Sequence, residues 1–455
     1  MATEEPTIPQ AMMARPGHDE TQSGGVMSPQ DQMMSRQGQM MSAGHLYMQT
    51  NEVHNSIVHF VRAPNGALTE VERVATGGSG SGTFKPISGQ ESAPNAFEGA
   101  KSVIVSPDRR FLFTTNAGEN SVSSFSLGED GKLSLIDVKR TGNIVDQTYG
   151  VRTNLRSGTA KALAFLPSHG TLYVLHSFGP NHVTLMSVDS EGQLTARPEC
   201  YTANTPDKPY RVATTLAISP DERFVIIGTT FDQPAEANPD GSPILWVKDE
   251  EGNPRLVASN APDPDGLVVF KVEAHGTLSE PSFQDGGGGS PWYPLFLNNR
   301  PDHFLIGYAV GDGVALAKID EDGQVSTGPI APLDTTLGKP AELCWLSISP
   351  DDRWVFATNF GYGYLTSFRL EGNVLTKAKD PACPVVPGDG TFRGLDGTIT
   401  SGPSDNWLCP HGAYLYQIYG NASKLVGYAV HPDGSLEEVT SATIPYNSPQ
   451  GLAGW

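Results

Sequence analysis

From position 44 onward, short apolar runs alternate with polar turns, and the alternation recurs. The segments "SPDRRFLFTTNAG" (106–118), "LPSHGTLYVLHSFG" (166–179), "SPDERFVIIGTTFD" (219–232), "RPDHFLIGYAVGD" (300–312), "SPDDRWVFATNFG" (349–361) and "CPHGAYLYQIYGN" (409–421) share one plan. An apolar strand leads in, a Pro-containing tight turn follows, and a second strand of Phe, Leu, Val and Tyr leaves it. A third strand then reaches a Gly-x-Leu/Val turn, seen in "NGALT" (65–69), "DGKLS" (130–134), "EGQLT" (191–195), "HGTLS" (275–279), "DGQVS" (322–326), "EGNVLT" (371–376) and "DGSLE" (433–437). A fourth, more polar strand comes after each. No stretch shows the i, i+3, i+4, i+7 spacing of a capped amphipathic helix.

Four short antiparallel strands, repeated seven times, predict an all-β, seven-bladed β-propeller. Its units span roughly 44–78, 100–143, 158–203, 212–287, 290–333, 341–386 and 404–445. The first unit begins with "AGHLYMQTN" (43–51), a second strand with no first strand before it. The chain ends on "NSPQGLAGW" (447–455), whose "LAGW" resembles the inner strands "LAFL" (163–166) and "LAIS" (216–219). The C-terminal strand is therefore expected to pair with the first blade and close the ring.

Length and composition fit that plan. Gly 50 and Pro 36 in 455 residues supply many turns, and no apolar run approaches the ~20 residues of a membrane span. The formal charge of -20 repels nucleic acid and anionic membrane, so neither is an expected partner. Four cysteines at irregular spacing indicate neither a disulfide framework nor a zinc site. Residues 1–43 are polar and rich in Gln, Ser, Pro and Met, without a secretory signal pattern, and read as a disordered or surface-draped tail ahead of the propeller at 44–455. Three long connections stand out, at 79–99, 233–264 and 387–403, the second inserted between two strands of the fourth unit. "NAS" (421–423) is a glycosylation sequon, and His411 in "CPHG" reads as a turn residue.

The repeats "SPDRRFLFTTNAGENSVSSFSLGEDGKLSLI" (106–136) and "SPDDRWVFATNFGYGYLTSFRLEGNVLT" (349–376), and less closely 166–195 and 411–439, resemble the lactonase family of seven-bladed propellers. That family includes propeller-type 6-phosphogluconolactonases and fungal carboxymuconate lactonizing enzymes, and the resemblance implies chemistry at the axial channel. The family's Pro-His, Arg and Asn-Glu positions have no counterparts. "EGAKS" and "SGTAKALAFLP" stand at the strand starts, and "TTNAG", "LHSFG" and "ATNFG" follow the second strands. What carries over is the location, not the residues.

Inner-strand starts face the axis of a propeller. They supply Glu98, Lys101, Arg156, Lys161, Arg211, Thr215, Trp292, Tyr293, Glu342, Trp345, Asp405, Trp407 and Gln450, and the second-strand ends add Asn116, His176 and Asn359. Lys101, Lys161, Glu98, Glu342 and His176 are the candidate catalytic groups. Arg156, Arg211, Asn116, Asn359, Trp345, Asp405 and Gln450 are the candidate substrate-binding groups. Cations suit a substrate carboxylate or phosphate and a developing oxyanion, and a carboxylate, imidazole or depressed lysine suits proton transfer. The expected function is lactonase-like hydrolysis or isomerisation of a small anionic lactone or unsaturated acid. The alternative is a non-catalytic propeller that binds a small ligand or protein through its face loops. No cofactor and no metal site are expected, and the chain reads as a cytoplasmic monomer.

Overall fold

A computed structural model describes residues 43–83, 94, 100–142, 158–208, 211–230, 236–237, 243–244, 246–248, 254–256, 266–311, 313–333, 341–394 and 398–455. The tail expected at 1–43 lies, up to residue 42, outside the described residues.

Seven antiparallel sheets follow one another along the chain, each a meander from inner to outer strand. The inner strands are Val103–Val105 in blade 2, Gly158–Leu166 in blade 3 and Ala213–Ile218 in blade 4. Pro291–Phe296, Leu343–Ile348 and Pro403–Leu408 serve blades 5, 6 and 7. Blade 1 takes its second to fourth strands from Gly44–Gln49, Ser56–Arg62 and Leu68–Ala75, and its inner strand from Gln450–Gly454 at the other end of the chain. Met48 pairs with Leu452, Tyr47 with Ala453 and Leu46 with Gly454. Backbone bonds of 3.0 Å in both directions between His45 and Trp455 extend the ladder by one step. The apolar ending is an inner strand, as its pattern predicts.

Burial explains the hydrophobic pattern. Second strands such as Phe111–Asn116, Phe224–Thr229 and Tyr414–Tyr419 are buried at every residue, because a neighbouring blade covers each face. Outer strands such as Leu133–Arg140 and Leu436–Thr443 are exposed or half-buried after their first residue. The buried apolar side chains form seven clusters, one in each seam between adjacent blades. The seam between blades 1 and 2, for example, holds Tyr47 and Ile57 against Leu112 and Phe125, with Ala453 of the closing strand.

The Ser-Pro-Asp turns link first to second strands by a shared device. The Ser106 hydroxyl donates to Asp108 at 2.6 Å and accepts from the Phe111 N–H at 2.9 Å. Ser219 with Asp221 and Ser349 with Asp351 repeat it at 2.6 Å. The residue after each Asp is left-handed: Arg109, Glu222 and Asp352, with φ of 58–59°.

In such a meander the leading ends of the inner strands share one face with the connections between second and third strands. The Ser-Pro-Asp turns lie on the opposite face. The described part of the 387–403 connection therefore belongs to the face where the inner strands begin. The insertion at 233–264 adds two short hairpins, Glu236–Ala237 with Pro243–Ile244 and Trp246–Lys248 with Pro254–Leu256.

Candidate active site

One backbone device sets the site. Five left-handed residues, Lys101 (φ 61°), Thr159 (φ 62°), Ser290 (φ 56°), Glu342 (φ 53°) and Gly402 (φ 55°), precede or begin the inner strands of blades 2, 3, 5, 6 and 7. Four of the five are not glycine, and this conformation is costly for residues with a Cβ. Two residues later, in blades 3, 5, 6 and 7, the ladder slips by one residue in a β-bulge around Lys161, Trp292, Cys344 and Ser404–Asp405. Blade 4 has the same slip around Thr214–Thr215, and blade 1 has it at Gly451. A bulge re-aims the extra side chain. Here it concentrates polar groups where the seven inner strands begin.

Lys101 is the most exposed cation of this group, although only in part. Its Nζ donates to Leu216 O of blade 4 at 3.2 Å and lies 5.3 Å from the ring centroid of Tyr293 in blade 5. A side chain rooted in blade 2 thus reaches across the axis. Burial lowers its pKa to about 8, against the opposing pull of the Asp405 charge.

Asp405, 3% exposed, is the second pole. Its carboxyl accepts from its own blade through Asn406 N at 3.0 Å and from the closing strand through Leu452 N at 3.2 Å. Desolvation nonetheless dominates and raises its pKa to about 7, with these amides and the Lys101 charge working the other way. The Tyr293 phenol is held well above its usual range by burial and, secondarily, by Asp405.

A second group adjoins the first. Lys161, 0% exposed, sits 5.4 Å from the ring centroid of Trp292. Burial pushes the Cys344 thiol well up, Glu342 adds to the rise, and the Lys161 charge opposes it. Glu342 is partly exposed and packs near Gly361 and Gly394. Trp345, buried, contacts Phe360 at 6.2 Å, and Phe360 meets Phe392 of the 387–403 connection edge-on at 5.1 Å. Phe392 is 2% exposed in the same cluster as Trp292, Tyr293 and Trp345, so this connection caps one side of the site. Several buried polar atoms at the strand starts have no protein partner: Ser102 Oγ, Thr215 Oγ1, Trp345 Nε1, Ser404 Oγ and Asn406 Oδ1.

Other sequence candidates are placed elsewhere. Arg211 turns outward to Phe283 on the outer strand of blade 4, at 5.1 Å, and donates to Ala203 O at 3.3 Å. His176 is enclosed by Thr141 Oγ1 at 2.9 Å and His182 O at 3.3 Å, and burial lowers its pKa to about 3, which leaves it neutral at physiological pH. Asn116 ties blades 1 and 2 together through Asn55, Thr76, Ser121 and Ser123. Asn359 donates to Thr366 Oγ1 at 2.8 Å, and Gln450 is buried on the closing strand. Glu98 and Arg156 lie outside the described residues. Tyr293, named only as a strand start, is the group that sequence reasoning passed over. Its place two residues after Pro291, at the ladder slip, leaves no local chemical signature. Among the described residues, no three His, Cys, Asp or Glu side chains gather as metal ligands.

The resemblance drawn from the sequence holds. The profile of the family described as "Lactonase, 7-bladed beta-propeller" matches residues 31–145. A search of curated proteins finds no match. Among solved structures, the periplasmic gluconolactonase of Pseudomonas aeruginosa is similar at TM-score 0.62 and 15% identity, covering 91% of this chain and 99% of that one. A Bacteroides fragilis protein provisionally assigned as a 6-phosphogluconolactonase gives TM-score 0.61 and 15% identity over 91% of this chain and 98% of its own. A Bacteroides uniformis protein with the same provisional assignment gives 0.61 and 14% over 91% and 100%. At such identity these likenesses establish the fold.

Proposed function

We propose that the protein hydrolyses a small anionic lactone at the leading ends of its inner strands. The observation that carries this reading is one pair of groups on the axis. Lys101 is a cation whose Nζ makes one hydrogen bond among the described residues, and Asp405 is a carboxyl whose pKa is raised to about 7.

The chemistry follows from those two groups. Asp405 in its carboxylate form takes a proton from water as the water oxygen attacks the lactone carbonyl carbon. The carbonyl π pair moves to oxygen, where the Lys101 ammonium stabilises the charge. When the intermediate collapses, the ring C–O bond breaks and Asp405 returns the proton to the departing ring oxygen. Lactone and water become one hydroxy acid. The Tyr293 ring lies 5.3 Å from Lys101 Nζ, and Lys161 adds positive potential toward a substrate anion. Hydrolysis is favoured over ring isomerisation because a carboxylate base beside a cation suffices for it.

The test is a pH-stat assay over a panel of carboxylated and phosphorylated lactones, with Asp405→Asn beside the wild type. Turnover by the wild type, reduced about 10²–10⁴-fold in the variant, supports the reading. Turnover of none of the panel contradicts it.

A further inference from the structure

We propose a second activity for Lys101: its ε-amine captures small carbonyl compounds, aldehydes or α-oxo acids, as a Schiff base. The claim goes beyond lactone hydrolysis and does not require it.

Three features of the geometry support it. First, an ammonium has three N–H donors, and Lys101 places one on Leu216 O at 3.2 Å. No other hydrogen bond from Nζ is made among the described residues. Second, the Tyr293 ring lies 5.3 Å from Nζ, and the Asp405 charge acts on Lys101. An apolar floor and a proton shuttle of near-neutral affinity are what amine–carbonyl condensation needs. Third, Lys101 is partly exposed, whereas the neighbouring Lys161 is 0% exposed beneath Trp292. Of the two lysines, Lys101 is the more exposed residue. The lowered pKa, about 8, leaves a useful fraction of free amine near neutrality.

The step balances. The Lys101 ammonium gives one proton to the Asp405 carboxylate, directly or through water. The free amine lone pair attacks the carbonyl carbon and the π pair moves to oxygen. A proton passes from nitrogen to that oxygen, giving the neutral carbinolamine. Asp405 then protonates the hydroxyl, water leaves, and the nitrogen lone pair forms the C=N bond. One carbonyl compound and one ammonium become one iminium and one water.

The experiment uses the full chain with glyoxylate as the probe and cyanoborohydride as the trapping reductant, followed by peptide mass mapping. The expected result is a reduced adduct concentrated on Lys101, lost in Lys101→Met and in Lys101→Arg, with thermal melting checked for both variants. Adducts spread over surface lysines such as Lys132, with Lys101 unmodified in the wild type, overturn the proposal whether or not the variants fold. A protein that traps glyoxylate at Lys101 but hydrolyses no lactone overturns the hydrolysis reading alone.

Discussion

Asp405 Oδ2 accepts a hydrogen bond of 3.2 Å from the backbone N–H of Leu452, so a carboxyl of blade 7 holds the strand that closes blade 1. The same carboxyl and Lys101 at the start of blade 2 act on each other's pKa through their charges. Ring closure and the candidate chemistry therefore meet in one side chain.

Removing that side chain leaves buried amides without an acceptor, at about 1–3 kcal/mol for each such group. Asp405→Ala is expected to lower the urea midpoint clearly, and Asp405→Asn less, since an amide oxygen still accepts. The pH dependence has a definite sign. The folded pKa, about 7, lies above the ordinary 3.8, so the native state binds this proton more tightly than the unfolded chain. The contribution is complete below the unfolded value and disappears as pH rises through about 7. Relative to Asp405→Asn, the wild type should lose stability between about pH 4 and 7. A difference between the two that does not change over that window speaks against the assignment.

A second clasp stands at the same seam. His45 Nδ1 meets His59 Nε2 at 2.9 Å, His59 Nδ1 meets Glu72 at 3.1 Å, and the Trp455 ring lies 4.8 Å from His45. Burial lowers the pKa of both histidines; for His45 the His59 and Arg62 charges add to the fall and Asp130 opposes it, and for His59 Glu72 and Asp130 oppose it while Lys132 adds to it. A lowered folded value means stability present above about pH 6.5 and lost as pH falls. His59→Gln should flatten the acid limb of the stability profile measured by thermal melting from pH 7 to 4. An unchanged limb contradicts this.

The cap formed by Phe392 can be read through a thiol. Cys200 is exposed, while Cys344, Cys383 and Cys409 are buried. Native protein should label with a maleimide at Cys200 alone. Phe392→Ala removes an aromatic side chain from the cluster that contains Cys344, and labelling of Cys344 should then rise. Labelling of Cys344 in the native wild type as fast as that of Cys200 runs against the cap.

The sequon at 421–423 should carry no glycan. Asn421 is 1% exposed, its Oδ1 accepts from Asp389 N at 3.0 Å, and its Nδ2 donates to Thr391 at 3.0 Å and to Tyr446 at 2.9 Å. Expression through a secretory pathway followed by glycosidase treatment should shift no mass at this site. A glycan found there on folded protein refutes this prediction.

Much of the fold was legible because propeller turns are local. The Ser-Pro-Asp turns and the Gly-x-Leu turns mark both ends of a blade within a few residues, and "QGLAGW" resembles an inner strand by pattern alone. The site was legible in outline: Lys101, Lys161, Glu342, Trp345 and Asp405 do gather where inner strands begin. Direction was not legible. Arg211 and Lys161 both read as strand-start cations, yet Arg211 reaches the outer strand of blade 4 while the bulge carries Lys161 inward. The proton affinity of Asp405 was also hidden, because it depends on amides and a charge from three distant parts of the chain.

The account rests most on the axial pair, and its sharpest test is kcat/KM for the best anionic lactone in the wild type, Lys101→Met and Lys101→Arg as a function of pH. The account predicts a bell in the wild type, rising as Asp405 ionises near 7 and falling as Lys101 deprotonates near 8. It predicts a loss of about 10²–10³-fold in Lys101→Met, and in Lys101→Arg an acid limb that rises to a plateau with no alkaline fall. A Lys101→Met protein that melts normally and retains wild-type kcat/KM contradicts it.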